Sequence, residues 1–524
     1  MKKLSLLIII LHCVLCTVHS QTTLPHDVAN EFGNLLVYHN NRICPLQTLA
    51  RDYTIKLTGK TSYKDFSAEQ VLLGWFFYYN EWRNEPMIKI KGKDAQQTLR
   101  IEGKYASFND FTSPQGYKLT GTQGKNFSAA DEKYNLIIMN LTGSLLKIFP
   151  HRTQDSSQLS TESSPKLGEV PKTEVYTNSQ FSTLNSQLST IHWFALNDNL
   201  PTDMPQAEWL FIRKSMNLIA EYITNNQYDQ AIDLIRKIRK YQETQLGTFT
   251  PSKTRITAER IYNHLNFNRP LAMALMTIGI LLYVITIISN KTPRWSWFIL
   301  TPTAIYLLFA IVLRGYIAGH FPLSNGFETM QFLALIASLM PFITLLFKRK
   351  NTNNNSSFLI PNSTLICGIA LMVATMSELN PRITHLMPVL QSPLLSIHVM
   401  VIMISYTLFA LILLNATTNL IKNNYELCIM TYELNIFALF LLTAGIFIGA
   451  IWANVSWGRY WGWDPKEVWA LITMLIYSLP LHRASLKIFQ NTRFLNWYYI
   501  FAFLSVVITY FGVNFILGGM HSYA

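Results

Sequence analysis

Cysteine is scarce, with five in 524 residues. Cys13 and Cys16 lie in an N-terminal apolar stretch, Cys44 stands alone in the polar half, and Cys367 and Cys428 lie in or beside long apolar runs. This scatter implies no disulfide framework. Cys13-x-x-Cys16 has the spacing of a redox pair, but inside an export signal that spacing is incidental, so thioredoxin-like chemistry belongs on another chain. Also missing is a compact basic stripe with aromatics between the charges. The formal net charge is +13, which raises nucleic-acid binding as a first idea. The basic residues gather instead beside apolar runs, as in Lys348, Arg349 and Lys350, the pattern of inner-leaflet anchoring. Nucleic acid is therefore not expected as a partner.

Half of the chain is hydrophobic, an average that decides little. Distribution decides more. The first half is polar and mixed, whereas from about residue 268 long apolar runs alternate with short polar joints. Several reach the roughly 20 residues needed to cross a bilayer as a helix. The expected fold is an all-α polytopic membrane domain over residues 266–524, with about eight transmembrane helices at 268–289, 295–313, 326–346, 357–377, 395–417, 430–452, 467–485 and 497–517. A mixed α+β or mostly helical exported domain precedes it. Lys2, Lys3 and the apolar stretch Leu4 to Val18 read as a signal peptide over residues 1–20, with a retained anchor as the alternative. Residues 21–152 form an exported region, 153–190 a Ser/Thr-rich linker or loop, and 191–265 a helical exported region. Within the first, Ala68 to Glu81 has helical spacing, while Asn135 to Met139 and Ser144 to Phe149 read as strands.

Two cues give one topology. The signal sends the polar half outside. The joints at 290–294, 347–356, 418–429 and 486–496 then lie inside and hold Lys291, Arg294, Lys422, Lys487 and Arg493 besides the 348–350 cluster. The outer joints hold Arg314, Arg382, Arg459 and Lys466. The bias is moderate and agrees with the signal, and it leaves the C-terminus outside.

Five of the twelve tryptophans fall between Trp452 and Trp469, in Trp457-Gly-Arg459-Tyr-Trp461-Gly-Trp463-Asp464-Pro465-Lys466-Glu467-Val-Trp469 and just before it. An interfacial anchoring belt is the bland reading, but a belt needs one or two rings per helix end. A clustered aromatic surface suits a large flat apolar ligand. Gly458 and Gly462 allow close approach or a sharp turn, and Arg459 or Lys466 can pair with ligand carboxylates. Asp464, Pro465 and Glu467 also spell a helix start: cap, first position and third position.

Of the twelve histidines, His26, His39, His151, His192 and His264 sit in polar exported segments and read as ordinary hydrogen-bonding residues. The topology puts His398, at the start of the fifth membrane segment, and His521, just past the eighth, at the depth of the tryptophan loop. Two imidazoles beside an aromatic platform can clamp a haem iron axially. His482, near the inward end of the seventh segment, is a ligand candidate or a snorkelling helix-end residue. His320 and Glu328 are secondary candidates, and for Glu328 a first-turn acid and a cavity acid both remain open; His385 flanks the fifth segment on the outer side, and Glu378, just past the fourth, reads as outer-leaflet capping.

The tryptophan loop resembles the tryptophan-rich motif of the haem-handling protein superfamily. With His320 to Glu328, Leu386 to His398, Leu481-His482-Arg483 and Gly512 through Tyr523, it most resembles the CcsA, or ResC, subunit of the system II cytochrome c synthetase, over about residues 268 to 524. The resemblance implies haem b bound as substrate, with His398 and His521 as axial iron ligands and Trp457, Arg459, Trp461, Trp463, Asp464 and Trp469 around it. It implies His482 as a ligand of a membrane haem site. It implies presentation of reduced haem to a Cys-x-x-Cys-His segment of apocytochrome c for thioether attachment, so that the chain is a subunit of a haem lyase complex. The setting implied is the bacterial inner membrane, with the N-terminal domain and C-terminus periplasmic. The implied partners are a ResB/CcsB-like membrane subunit, apocytochrome c and thiol reductant proteins. Residues 33 to 81, especially Pro45 to Arg51, also resemble an outer segment of some fused forms. One departure stands out: residues 21–265 hold no run of helices matching the ResB portion, so a separate chain or a shortened domain supplies it. The alternatives are a haem carrier that serves a separate ligase, a transporter of another solute, and a structural respiratory subunit.

Overall fold

The structure, a computed structural model, describes residues 22–152, 191–265, 267–346, 358–376, 381–384, 386 and 388–517. The expected signal, the linker at 153–190, Glu378, His385 and His521 lie outside the described residues. Two compact units divide at Asn263 and His264.

The N-terminal unit runs α1 (His26–Gly33), β1 (Leu36–His39), β2 (Arg42–Pro45), α2 (Leu46–Thr58), α3 (Ala68–Phe77), α4 (Tyr79–Trp82), β3 (Ile88–Lys89), α5 (Lys93–Leu99), β4 (Tyr105–Ala106), β5 (Thr112–Ser113), β6 (Gly116–Tyr117), α6 (Lys125–Leu141), β7 (Phe149–Arg152), β8 (Ile191–Phe194), α7 (Gln206–Thr224), α8 (Tyr228–Leu246) and α9 (Lys253–His264). Among the described residues its strands form four antiparallel two-stranded ladders, β1–β2, β3–β4, β5–β6 and β7–β8. Such ladders are not stable alone, and the helices supply the core, in which Trp75 and Trp82 are fully buried. Ser67 and Gln70 close a capping box at the start of α3, consistent with the helix expected from Ala68. The strand expected over Asn135 to Met139 is instead part of α6, because the helical period of the longer segment outweighs a short β-prone run. Of the strand expected over 144–149, only Phe149 is in β7.

The regions 21–152 and 191–265 fold as one body. β7 pairs with β8 from Phe149↔Phe194 to Arg152↔Ile191. The fully buried Gln242 side chain on α8 accepts from Leu36 N at 2.8 Å and donates to Leu36 O at 2.7 Å and Ile148 O at 2.6 Å. Arg42 donates through both terminal nitrogens to Glu259, at 2.8 and 2.6 Å, and Thr48 Oγ1 donates to the same carboxylate at 2.6 Å. Cys44 lies in this core, and burial pushes its thiol well above the usual range, against the opposing pull of Arg42. The thiol therefore stays neutral where a solvated one, at about 8.5, ionises. Its contribution to stability is complete below that ordinary pKa and declines as pH rises beyond it. Maleimide labelling at pH 8 is expected to be slower in the native protein than in urea by a factor on the order of 100, because it requires local opening. Equal rates would contradict the burial.

The second unit contains α10 (Asn268–Ser289), α11 (Trp297–Ala318), α12 (Gly326–Leu346), α13 (Leu359–Ala374), α14 (Pro393–Lys422), α15 (Tyr425–Trp457), α16 (Pro465–Ser478) and α17 (Thr492–Val507), which continues as a π-helical segment Ile508–Leu517. The expected helical polytopic architecture is present. Among the described residues six helices are long and apolar enough to cross a membrane. The other two expected segments are shorter, 16 residues in α13 and 14 in α16. Segment 467–485 ends early because a 3-10 turn, Leu479–His482, follows α16. Pro480 in that turn lacks the N–H that would carry an α-helix on. Large apolar side chains face outward along the helices, among them Phe298, Phe440, Phe447 and Ile516, as lipid contact requires.

Arg314 does not lie in a joint. It sits in α11, fully buried, and its Nε donates to Glu328 Oε1 at 2.6 Å. Its terminal nitrogens donate to Pro381 O at 2.8 Å and Arg382 O at 3.0 Å. Glu328 Oε2 accepts from Ser324 N at 2.6 Å and Ser324 Oγ at 2.7 Å. Glu328 is thus the first-turn acid of α12 and the counter-ion of Arg314, and neither group is among the cavity-lining residues described next.

Candidate functional site

Six stretches converge at one end of the second unit: the α11–α12 joint, the segment before α14, the first turns of α14, the last turns of α15, the start of α16 and the π segment. Between them lies a cavity of about 1230 Å³ including its open mouth. A second cavity of about 600 Å³ adjoins it. His398, Ile402, Tyr406, Trp452, Lys466 and Thr509 border both. His398, Ile402 and Tyr406 fall at i, i+4 and i+8 on one face of α14.

The protonation of His398 is set by its neighbour. Its Nδ1 lies 2.7 Å from the carbonyl oxygen of Gly445 on α15. A carbonyl only accepts, so Nδ1 carries the proton and the lone pair resides on Nε2. This is the form in which an imidazole ligates a metal, oriented through its other nitrogen. Among the described residues no three His, Cys, Asp or Glu side chains gather as a metal site.

The tryptophan loop is built by its helix ends. α15 stops at Gly458, whose φ of +73° is left-handed. Asp464 Oδ1 accepts from Lys466 N at 3.0 Å, and Asp464 and Glu467 form a capping box for α16. The cap expected from the sequence is present, and it occupies the Asp464 carboxylate. The left-handed residue inside the loop is not Gly462 but Trp463, at φ +56°, a conformation uncommon for a bulky side chain. Glu467 Oε2 accepts from Gly462 N at 2.8 Å and from Asp464 N at 3.2 Å, on either side of Trp463. Trp463 is 72% exposed, and its ring meets that of Trp461 edge-on at 6.0 Å. Glu467→Ala removes both acceptor contacts. The expected result is a near-ultraviolet circular dichroism change at the tryptophans and a loss of roughly 1–2 kcal/mol in thermal stability. Glu467→Gln, whose amide oxygen still accepts, is expected to preserve both readouts; an Ala variant identical to the parent would rule out the clamp.

The candidates distribute unevenly. His398 lines both cavities and Trp461 the second. Trp457 packs edge-on against the buried Trp452 at 4.8 Å. Trp457, Trp463, Asp464 and Trp469 are not among the lining residues of either cavity, and Arg459 is exposed with its guanidinium against Gly462. Lys466 Nζ donates to Asn514 Oδ1 at 2.8 Å and borders both cavities, so a cation faces an otherwise mainly apolar space. His320 Nδ1 contacts Phe321 O at 3.1 Å, and His320 is not among the lining residues. His482 lies in the 3-10 turn beyond the other end of α16, exposed, about 25 Å along the axis from Lys466. Sequence reasoning missed Tyr406 and Tyr510 as lining residues; the helical spacing from His398 to Tyr406 was the available signal.

Fold and cavity together define a polytopic helical membrane protein whose helix ends enclose an imidazole beneath a tryptophan loop. Residues 323–521 match the family model described as Cytochrome C assembly protein. The chain is 30% identical to the cytochrome c biogenesis protein CcsA of Trachelium caeruleum over 315 residues, 51% of this chain and 96% of that protein. It is also 30% identical to CcsA of Prochlorococcus marinus over 301 residues, 50% of this chain and 94% of that protein. The chain belongs to this cytochrome c assembly family, as a CcsA-like subunit. Protein NrfI of Wolinella succinogenes is 31% identical over 540 aligned positions, 95% of this chain, and the chain spans about half of its length, 55%.

Proposed function

We propose that the chain serves cytochrome c biogenesis by holding haem b, as substrate, in the cavity beneath the tryptophan loop and presenting it to apocytochrome c. His398 is one axial ligand. The observation that carries this reading is the His398–Gly445 hydrogen bond inside the cavity wall, which prepares Nε2 for iron. His521 is the second ligand. It follows Leu517 by four residues in sequence, a tether of at most about 14 Å, and the preceding Asn514 and Phe515 line the larger cavity. Trp452 and Trp461 contact the ring, and Lys466 or Arg459 pairs with the propionates. Trp457, Trp463, Trp469 and Asp464 hold the platform in shape.

The attachment is an addition. Each thiol of Cys-x-x-Cys-His forms a sulfur–carbon bond to a haem vinyl group, and the thiol hydrogen ends on the neighbouring vinyl carbon, with no net oxidation. The chain's work is binding, orientation and effective concentration. Thiol reductant proteins keep the substrate cysteines reduced. A ResB/CcsB-like membrane subunit completes the complex and the site at His482. The complex sits in the bacterial inner membrane, exported through the N-terminal signal, with the cavity, the N-terminal unit and the C-terminus on the periplasmic side.

The test is expression of the chain with a ResB-like partner and a reporter apocytochrome in cells lacking their own attachment system. Covalent haem on the reporter, detected by peroxidase stain after denaturing electrophoresis, is the expected result. Haem on the purified chain without reporter maturation would convert the reading to a carrier. Haem on neither would sink it.

A further inference from the structure

We infer that Gly449 is a positioning residue for His398. Its missing side chain is the notch that holds the imidazole in its ligating pose. The inference rests on the proposal that His398 ligates haem iron, and extends it to a residue that touches no ligand.

Gly445 and Gly449 are one helical turn apart on α15 and face α14. Each meets a different α14 side chain. A Cβ on Gly445 would lie 2.6 Å from Ile402 Cδ1, whereas a Cβ on Gly449 would lie 2.6 Å from His398 Cε1, 2.7 Å from Nδ1 and 3.3 Å from Nε2. Real carbon contacts do not approach so closely, so something must move. At Gly449 the obstacle is the end of a side chain, and swinging it costs the fold little. The swing displaces the ring from its 2.7 Å hydrogen bond to Gly445 O and carries Nε2 away from the direction that bond sets. The pair therefore acts in two ways: Gly445 orients the ring through its carbonyl, and Gly449 leaves it room.

Ligand geometry is more sensitive than stability here. A misplacement of about 1 Å can cost on the order of 100-fold in a positioned reaction, while swinging one half-buried side chain off a single hydrogen bond costs well under the stability of a membrane bundle. Gly449→Ala is thus expected to look like the loss of His398 in spectra and like the parent in folding.

The experiment compares the purified full chain, parent and variants, by oxidised and reduced absorption spectra with and without free imidazole. The parent is expected to show low-spin haem. Gly449→Ala is expected to elute and melt as the parent does, to convert at least half of its haem to high-spin, and to regain the low-spin spectrum with imidazole. In a His398→Gly background without imidazole, adding Gly449→Ala should leave haem content and melting unchanged, because the ring it displaces is gone; an additional loss there would mean a general packing effect and overturn the inference. Gly449→Ala with the parent's spectrum, alongside loss of low-spin haem in His398→Gly, would refute Gly449 as positioner and leave the haem reading standing. An unchanged spectrum in His398→Gly would show that another group ligates the iron, which removes His398 as a ligand and the inference with it.

Discussion

His398→Ala is expected to abolish the low-spin haem spectrum of the purified chain and to lower reporter cytochrome maturation by at least 100-fold. Loss of an outer-shell partner at a metal site already costs 10–100-fold, and here the iron-bonded group itself is removed. His398 borders both cavities, so alanine also leaves a space where the imidazole separated them. Free imidazole is expected to refill that space and restore the low-spin bands, because the Gly445 carbonyl remains to orient a small ring. His398→Gln, which can donate to the carbonyl but ligates iron poorly, should fail in spectra while folding normally. A parent-like spectrum for the alanine variant would show that another group ligates the iron.

The second large effect is on stability. Glu328→Ala is expected to prevent accumulation of the folded protein, or to lower its stability by about 3–5 kcal/mol, the cost of leaving a buried partner unpaired. The buried group is Arg314, which loses its carboxylate and keeps the carbonyls of Pro381 and Arg382. The same change releases Ser324 N and Oγ from the carboxylate, so the joint leading into α12 loosens as well. The double change Arg314→Leu with Glu328→Leu is expected to recover much of the loss, since replacing both ions by apolar groups removes the desolvation penalty. Membrane yield and thermal aggregation midpoints measure both. A Glu328→Ala protein as stable as the parent would mean that Arg314 finds water.

How legible all this is in the sequence depends on range. α10 and α12 match the expected 268–289 and 326–346 residue for residue, because uniform apolar runs with polar ends leave little freedom. α16 is less legible because apolarity continues past it into Leu479-Pro480-Leu481, and only backbone geometry separates the helix from its 3-10 end. The loop's cap is legible because Asp464, Pro465 and Glu467 act within four residues. The strained residue is not, since a glycine was available for the left-handed position and Trp463 takes it. Arg314 reads as a loop cation at the end of an apolar run; only the approach of α12 shows it as half of a buried pair. His398 stands out by composition, but its fit against Gly445 and Gly449 depends on the register of two neighbouring helices, which brings together His398 and Gly445 from 47 positions apart and which periodicity within either helix does not determine.

The long-range closure of the N-terminal unit has a consequence for timing. Its hydrogen bonds between Leu36 and Gln242 and between Arg42 and Glu259 bridge 206 and 217 positions. A chain made from its N-terminus cannot form them until residue 259 exists, and α10 begins at Asn268. Until then β1 and β2 lack their late partners, and non-local pairing of this kind is slow. The polar half therefore spends nearly the whole of its own synthesis open. It completes itself only as the first membrane helix is being made, so a chain halted before residue 242 is expected to be the protease-sensitive and chaperone-dependent species.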